Sequence, residues 1–191
     1  MGRRAVFLDK DGTLVENVPY NVDPAHIVLT ANAGPGLRLL QRQGFRLIVV
    51  SNQPGVALGR FPESALARVR ARLEELAAAC GVRLEGFHYC PHAPGPGGLV
   101  PCSCRKPAPG LLLQAARVHD IDLARSWLIG DILDDIEAGR RAGCRTILID
   151  NGNETEWHVT PQRCPHGFAL DLLHAATLVA AEEARATETR T

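Results

Sequence analysis

Four times along this chain a short apolar run stops at a cluster of acids or amides: "RAVFLDKDG" at residues 4–12, "FRLIVVSNQPG" at 45–55, "SWLIGDILDD" at 126–135 and "RTILID" at 145–150. Unbroken apolar runs of this length suit strands buried on both faces, whereas a strand with one wet face alternates apolar and polar residues. Both faces of such a sheet must therefore be covered by helices. The segments between the runs supply them. "GPGLRLLQRQG" reads as a helix ending at Gly44. "PESALARVRARLEELAAACG" places Leu66, Val69, Leu73, Leu76, Ala77 and Cys80 at helical spacing, with Gly81 as the stop. "VRLEGFHYC" reads as a further strand; "GLLLQAARVHD", "DDIEAGRRAG" and "ALDLLHAATLVAAEEARA" read as helices.

Strands that alternate with helices in this way specify an α/β fold, a single doubly wound, Rossmann-like parallel-sheet domain. The expected extent is residues 1–186, with a disordered tail at 187–191. A chain of 191 residues is long enough for one such core. Lys plus Arg and Asp plus Glu balance at 21 each, and 5% of residues are aromatic, so no nucleic-acid partner is expected. The basic start "MGRRAVFLD" meets an acid too early for a signal peptide, and no run could span a bilayer. The expectation is a cytoplasmic monomer without a membrane partner. In that reducing compartment the six cysteines read as metal ligands or buried small hydrophobes rather than bridges.

In open α/β sheets ligands bind beyond the carboxyl ends of the strands. This sequence puts Asp9, Asp11, Ser51, Asn52, Asp131 and Asp135 there. An acid after a strand is often only a turn former or helix cap. "DKDG" does not fit a calcium loop, because Gly12 comes too early and a strand precedes it. Clustered carboxylates repel, so a shared crevice calls for a cation, and oxygen donors suit Mg²⁺ with substrate phosphate completing its shell. A carboxylate nucleophile, a second carboxyl, a hydroxyl, an amide and a lysine together suit phosphoryl transfer.

"FLDKDGTL", "VVSNQPG", "CRKPAPG" and "IGDILDD" resemble, in order, the four motifs of the haloacid dehalogenase-like phosphatases. A Cys-x-His…Cys-x-Cys loop before the third motif is similar to the branch of that family acting on heptose bisphosphates and histidinol phosphate. The resemblance implies that Asp9 is the nucleophile and Asp11 the acid and base. Ser51 and Lys106 would hold the phosphoryl oxygens, with Thr13, Asn52, Gln53 and Arg105 at the substrate. Mg²⁺ would sit among Asp9, the backbone carbonyl of Asp11 and Asp131, with Asp135, rather than Asp134, behind them. The implied substrate is a phosphorylated sugar or similar small metabolite, first of all heptose 1,7-bisphosphate losing its C7 phosphate. Histidinol phosphate is the nearest alternative; a 3′-phosphorylated polynucleotide and an inactive, zinc-braced interaction module follow. The chain departs from the heptose branch at Ile132, where a lysine commonly stands. The gaps after the first and second motifs are too short for a cap domain, so a capless enzyme is expected.

The loop "YCPHAPGPGGLVPCSCRKP" holds Cys90, His92, Cys102 and Cys104. Three thiolates and an imidazole make a closed tetrahedral Zn²⁺ set, which leaves no open position for chemistry. Cys-x-Cys neighbours bridge each other poorly, and a catalytic thiol is superfluous beside a carboxylate nucleophile. Zinc is expected to brace residues 89–105 and so to aim Arg105 and Lys106. "CPH" at 164–166 repeats part of the pattern without further ligands, and reads as an ordinary loop. The polar stretch 150–163 belongs to no motif; it follows a strand, a position that would border the site, and the sequence assigns it no role.

Overall fold

The structure is a computed structural model and describes residues 2–95 and 102–188. Its elements are β1 (Ala5–Leu8), α1 (Ala33–Arg42), β2 (Arg46–Asn52), α2 (Ala65–Ala79), β3 (Leu84–Cys90), α3 (Gly110–His119), β4 (Trp127–Gly130), α4 (Leu133–Ala142), β5 (Arg145–Ile149), β6 (Gly167–Ala169) and α5 (Leu172–Glu188). Six strands form one sheet in the order β3-β2-β1-β4-β5-β6, with parallel pairing throughout.

The period of two divides each strand between the faces. Val6, Leu8, Val49, Ile129 and Ile147 pack with Leu37 and Leu40 of α1, Leu66 and Val69 of α2, and Val179 of α5. Ala5, Phe7, Ile48, Val50 and Leu128 pack on the other face with Leu111 and Leu112 of α3 and Ala138 of α4. The unbroken apolar runs are therefore central strands covered on both sides. Gly81 and Gly143 end α2 and α4 with φ of +71° and +87°, the left-handed conformation in which a helix stops without steric cost.

Three features differ from expectation. The last helix was expected from Ala169, but residues 167–169 form β6 beside β5 and α5 begins at Leu172. The strand gives partners to β5 groups that would otherwise lie at an edge, and Asp150 N donates to Ala169 O at 2.9 Å just beyond it. α5 also runs on to Glu188, through the start of the expected disordered tail; residues 189–191 of that tail lie outside the described residues, as do 96–101 of the zinc loop. The third strand, finally, begins at Leu84 rather than Val82.

Strand order reverses between β1 and β4, and that reversal opens a crevice at their carboxyl ends. Asp9 N donates to Ile129 O at 3.0 Å, extending the β1–β4 ladder to the first acid of the crevice. Among the described residues, α2 is the only helix between β2 and β3, and residues 13–32 carry one short 3₁₀ turn, so no cap covers the crevice. No described helix is long and apolar enough to cross a membrane.

Candidate active site

The crevice is a cleft of about 200 Å³ lined by Asp9, Asp11, Asn17, Ser51, Asn52, Lys106, Asp131, Ile132 and Asn153. These residues lie on five separate segments. Lys106 is its electrostatic centre, only 2% exposed. Its Nζ stands 2.5 Å from Asp9 Oδ1 and 2.5 Å from Asp135 Oδ1, and donates to Val50 O at 3.1 Å. Burial works against the ammonium, but the Asp135 and Asp9 carboxylates outweigh it and hold Lys106 charged well above the usual lysine range.

Asn52 sets where that lysine starts. Its Oδ1 accepts from Lys106 N and its Nδ2 donates to Lys106 O, both at 3.0 Å. An asparagine that ends β2 thereby grips the chain leaving the cysteine loop, with both ends of its amide engaged. Gln53 acts similarly one step on, donating to Ser51 Oγ at 2.8 Å and to Asp11 Oδ2 at 3.3 Å. Thr13 is buried and donates to Asp131 Oδ1 at 3.2 Å. The Arg105 guanidinium donates to His92 O at 3.2 Å. Of the five residues expected at the substrate, Ser51 and Asn52 line this cleft; Thr13, Gln53 and Arg105 bond to its supports or to the cysteine loop.

The acids differ by environment. Asp135 is fully buried, and burial drives its carboxyl up to about 8 even beside the Lys106 ammonium. Burial and the Asp9 charge push Asp131 up to about 7, against hydrogen bonds from Asn153 and Thr13. Burial also raises Asp11, while the Lys10 ammonium bonded to it pulls the other way. Gly130, at the end of β4, lets α4 come this close: a Cβ there would lie 2.3 Å from Asp135 Cβ. Asp134, one residue away, faces out and pairs with Arg163.

Carboxylate oxygens of Asp9, Asp131 and Asp135 lie within 4.8 Å of one another. Lys106 neutralises Asp135 and part of Asp9, which leaves Asp9 and Asp131 as hard oxygen donors with excess negative charge. That donor set fits a divalent cation such as Mg²⁺.

The second cluster stands where β3 and the third motif meet. The Cys104 thiol lies 3.2 Å from Cys90 Sγ, 3.3 Å from Cys102 Sγ and 3.4 Å from His92 Nδ1; Cys90 Sγ is 3.6 Å from Cys102 Sγ and 3.4 Å from His92 Nδ1. Zinc–sulfur bonds of about 2.3 Å and zinc–nitrogen bonds of about 2.0 Å in a tetrahedron put ligands roughly 3.5–3.8 Å apart. The cluster is somewhat tighter than that polyhedron but has its shape, with the donors gathered around one point. It is too open for disulfides, and all six cysteines are free. Burial pushes the Cys90 thiol far up, while at Cys102 burial is outweighed by hydrogen bonds from the Arg105 amide and the neighbouring thiols, which bring it down to about 7; three thiolates held this close would call for a cation. The "CPH" repeat does not join it: His166 Nδ1 accepts from Thr146 N at 3.0 Å, and Cys164 is exposed.

Asn17, Ile132 and Asn153 line the cleft without having been expected to bind there. Asn153 Nδ2 donates to Asp131 Oδ2 at 2.7 Å, Asn151 Nδ2 to Gly12 O at 2.7 Å, and Leu133 N to Glu154 Oε2 at 2.6 Å. The polar stretch after β5 is thus a wall of the site. Its one sequence signal is its place beyond a strand's carboxyl end.

A model of the HAD-hydrolase-like family matches residues 103–175. The D-glycero-beta-D-manno-heptose-1,7-bisphosphate 7-phosphatase of Haemophilus ducreyi is 38% identical over 80% of this chain and 86% of its own length. The Escherichia coli K12 protein of the same name is 35% identical, over 83% of each chain. The crystal structure of D,D-heptose 1,7-bisphosphate phosphatase from B. bronchiseptica, complexed with magnesium and phosphate, superposes with a TM-score of 0.76 at 26% identity, covering 94% of this chain and 99% of that one.

Proposed function

The chain belongs to the haloacid dehalogenase-like phosphatases, and from that premise we propose that it is a Mg²⁺-dependent phosphomonoesterase that removes the C7 phosphate of D-glycero-D-manno-heptose 1,7-bisphosphate. The observation that carries this reading is the convergence of Asp9, Asp11, Ser51, Lys106 and Asp131 from four motifs on one uncapped cleft.

The chemistry follows from where each group stands. Asp9 attacks phosphorus through the oxygen not committed to Lys106, and the phosphoryl group passes to it as a phospho-aspartate. Asp11, whose carboxyl burial raises above the usual carboxylate range, gives its proton to the departing alcohol. The same carboxylate then takes a proton from the water that cleaves the intermediate. The Lys106 ammonium, paired with Asp9, faces the developing phosphoryl charge, while the Ser51 hydroxyl, oriented by Gln53, donates to a phosphoryl oxygen. Asp9, Asp131 and the Asp11 carbonyl are the ligands we assign to Mg²⁺, which when bound supplies positive charge to the transferring group.

Cys90, His92, Cys102 and Cys104 are assigned to a structural Zn²⁺. Its effect on catalysis is indirect, since Arg105 and Lys106 follow Cys104 without a break. Balanced charge and an uncapped cleft suit a cytoplasmic monomer working on a small phosphorylated metabolite rather than a polynucleotide.

The test is phosphate release with Mg²⁺ from both anomers of heptose 1,7-bisphosphate, histidinol phosphate and a 3′-phosphorylated oligonucleotide, with Asp9→Asn as the blank. A clear preference for one heptose anomer is expected, with turnover abolished in Asp9→Asn. Preference for histidinol phosphate would move the substrate to the neighbouring branch, and turnover surviving Asp9→Asn would sink the mechanism.

A further inference from the structure

We infer that Asn153 is a positioning residue for Asp131, holding that carboxylate in the orientation a divalent cation requires. The inference rests on the phosphatase reading above and adds a residue that no motif marks.

Asp131 is fastened at both oxygens by donors from opposite sides. Thr13 Oγ1, on the loop after β1, reaches Oδ1 at 3.2 Å, and Asn153 Nδ2, on the loop after β5, reaches Oδ2 at 2.7 Å. Two such donors fix both the torsion and the plane of the carboxylate. Each oxygen has two lone pairs, so each keeps one for a cation. A neutral amide orients the acid without adding a positive charge that would compete with the metal. Asn153 is the shorter and more exposed of the two contacts, and it lines the cleft itself.

The amide is in turn held from behind. Asn153 N donates to Asn151 Oδ1 at 3.2 Å, a turn closed by an asparagine side chain, with Gly152 between them at a φ of +86°. Asn151 Nδ2 is anchored on Gly12 O at 2.7 Å, and Glu154 Oε2 accepts from Leu133 N at 2.6 Å in the first turn of α4. One short turn therefore reaches the loop after β1, the end of β4 and the start of α4. Gly12 leaves the room for it. A Cβ there would fall 2.0 Å from Asp131 Oδ2 and 2.4 Å from Asn153 Nδ2, inside the hydrogen bond itself. The glycine of "DKDGT" is thus required by a contact between two other segments as well as by its own φ of +83°.

The experiment replaces the amide with an apolar group of similar size, Asn153→Leu, and measures Mg²⁺ binding by calorimetry and Mn²⁺ binding by electron paramagnetic resonance, both without substrate. Supporting residues of this kind change metal affinity by about 10–100-fold. The expected result is binding weaker by about tenfold, and a Mg²⁺ half-saturation for activity raised by the same factor. The melting temperature should stay close to the parent's. A merely structural role would instead lower the melting temperature and leave cation affinity alone. If the leucine variant does not fold, Asn153→Ala carries the same binding measurement. Cation binding within twofold of the parent, in a folded variant, overturns the inference. A parent protein that binds the cation but hydrolyses none of the phosphate esters would overturn the phosphatase reading while leaving the positioning role to be decided by the binding data.

Discussion

The two donor clusters of this protein are built in opposite ways. The carboxylate centre gathers Asp9, Lys106, Asp131 and Asp135 from two strand ends, a loop and a helix, and brings its own buried cation in Lys106. The thiol cluster takes its ligands from residues 90–104, a stretch rich in Pro and Gly with little core of its own. The first is held in place by the sheet, because Asp9 and Asp131 each follow a central strand packed on both faces. The second has only Cys90 anchored in a strand, and on the proposed reading it takes its shape from a bound zinc. Strand-end geometry can thus keep like charges together before any ion arrives, whereas a loop of thiols needs the ion as part of its fold. Asn52 is the joint between them, since its amide ties the end of β2 to the first residues beyond the cysteines.

If the carboxylate centre is organised by its buried lysine, Lys106→Met should be the most damaging single change. Activity is expected to fall by about a thousandfold or more, because the nucleophile loses its partner and the phosphoryl charge its donor. Stability should fall as well, by about 3–5 kcal/mol at pH 8, as two buried acids are left uncompensated. The deficit should shrink toward pH 5: acids whose folded pKa lies above the unfolded value favour the protonated form, so lowering the pH relieves them. Urea melts at the two pH values check this. An equal deficit at both would mean that the lysine is not the charge balance of the site.

Cys104→Ser, or stripping zinc with a chelator, tests the other side of the contrast. The melting temperature should drop by roughly 5–10 °C, and activity should fall by about 10–100-fold through the misplaced Arg105–Lys106 segment. Metal analysis and calorimetry on the same sample would show whether one zinc is lost. Full activity and unchanged melting without zinc would break the comparison, since the loop would then stand by itself.

The effect of pH on Mg²⁺ comes next in size. Asp131, raised to about 7 by burial and by Asp9, must lose its proton before it can bind the cation. Below pH 7 protons compete and affinity falls, at most about tenfold per unit, while above pH 8 it levels off. Calorimetric titrations from pH 5.5 to 8.5 would show this slope together with proton release. A flat profile would place the titrating acid elsewhere.

Asn52→Ala should give the smallest change. Two hydrogen bonds to a backbone are worth about 1 kcal/mol each, so a severalfold fall in kcat and about 1–2 kcal/mol of stability are expected. Its interest lies in coupling. A double-mutant cycle with Cys104→Ser should be non-additive if Asn52 joins the two clusters, and additive if they are independent.

Much of this molecule was legible along the chain. The central strands declared themselves as unbroken apolar runs, and the helices between them by spacing and terminal glycines. Asp9, Asp131 and Lys106 could be named from motifs, and Asp135 separated from Asp134. The strand Gly167–Ala169 could not, since three residues with no alternation carry no periodic signal and form a strand only because β5 offers an open edge. Residues 150–163 could be placed beside the site by their position after a strand, but nothing local gave them a role, though Asn153 and Glu154 each hold a piece of the site.

What the sequence alone determined is therefore the fold class, the acids at the strand ends and the two sets of potential ligands, because burial periodicity and side-chain chemistry are local properties. Only the tertiary structure decided which donor meets which acceptor. It turned Thr13 onto Asp131, Gln53 onto Ser51 and Asp11, and Asn52 onto the Lys106 backbone, while Arg105 went to the His92 carbonyl. Those pairings depend on the close approach of segments far apart in the chain, at Gly12 and Gly130 above all, and no local pattern encodes which distant group fills the space a glycine leaves.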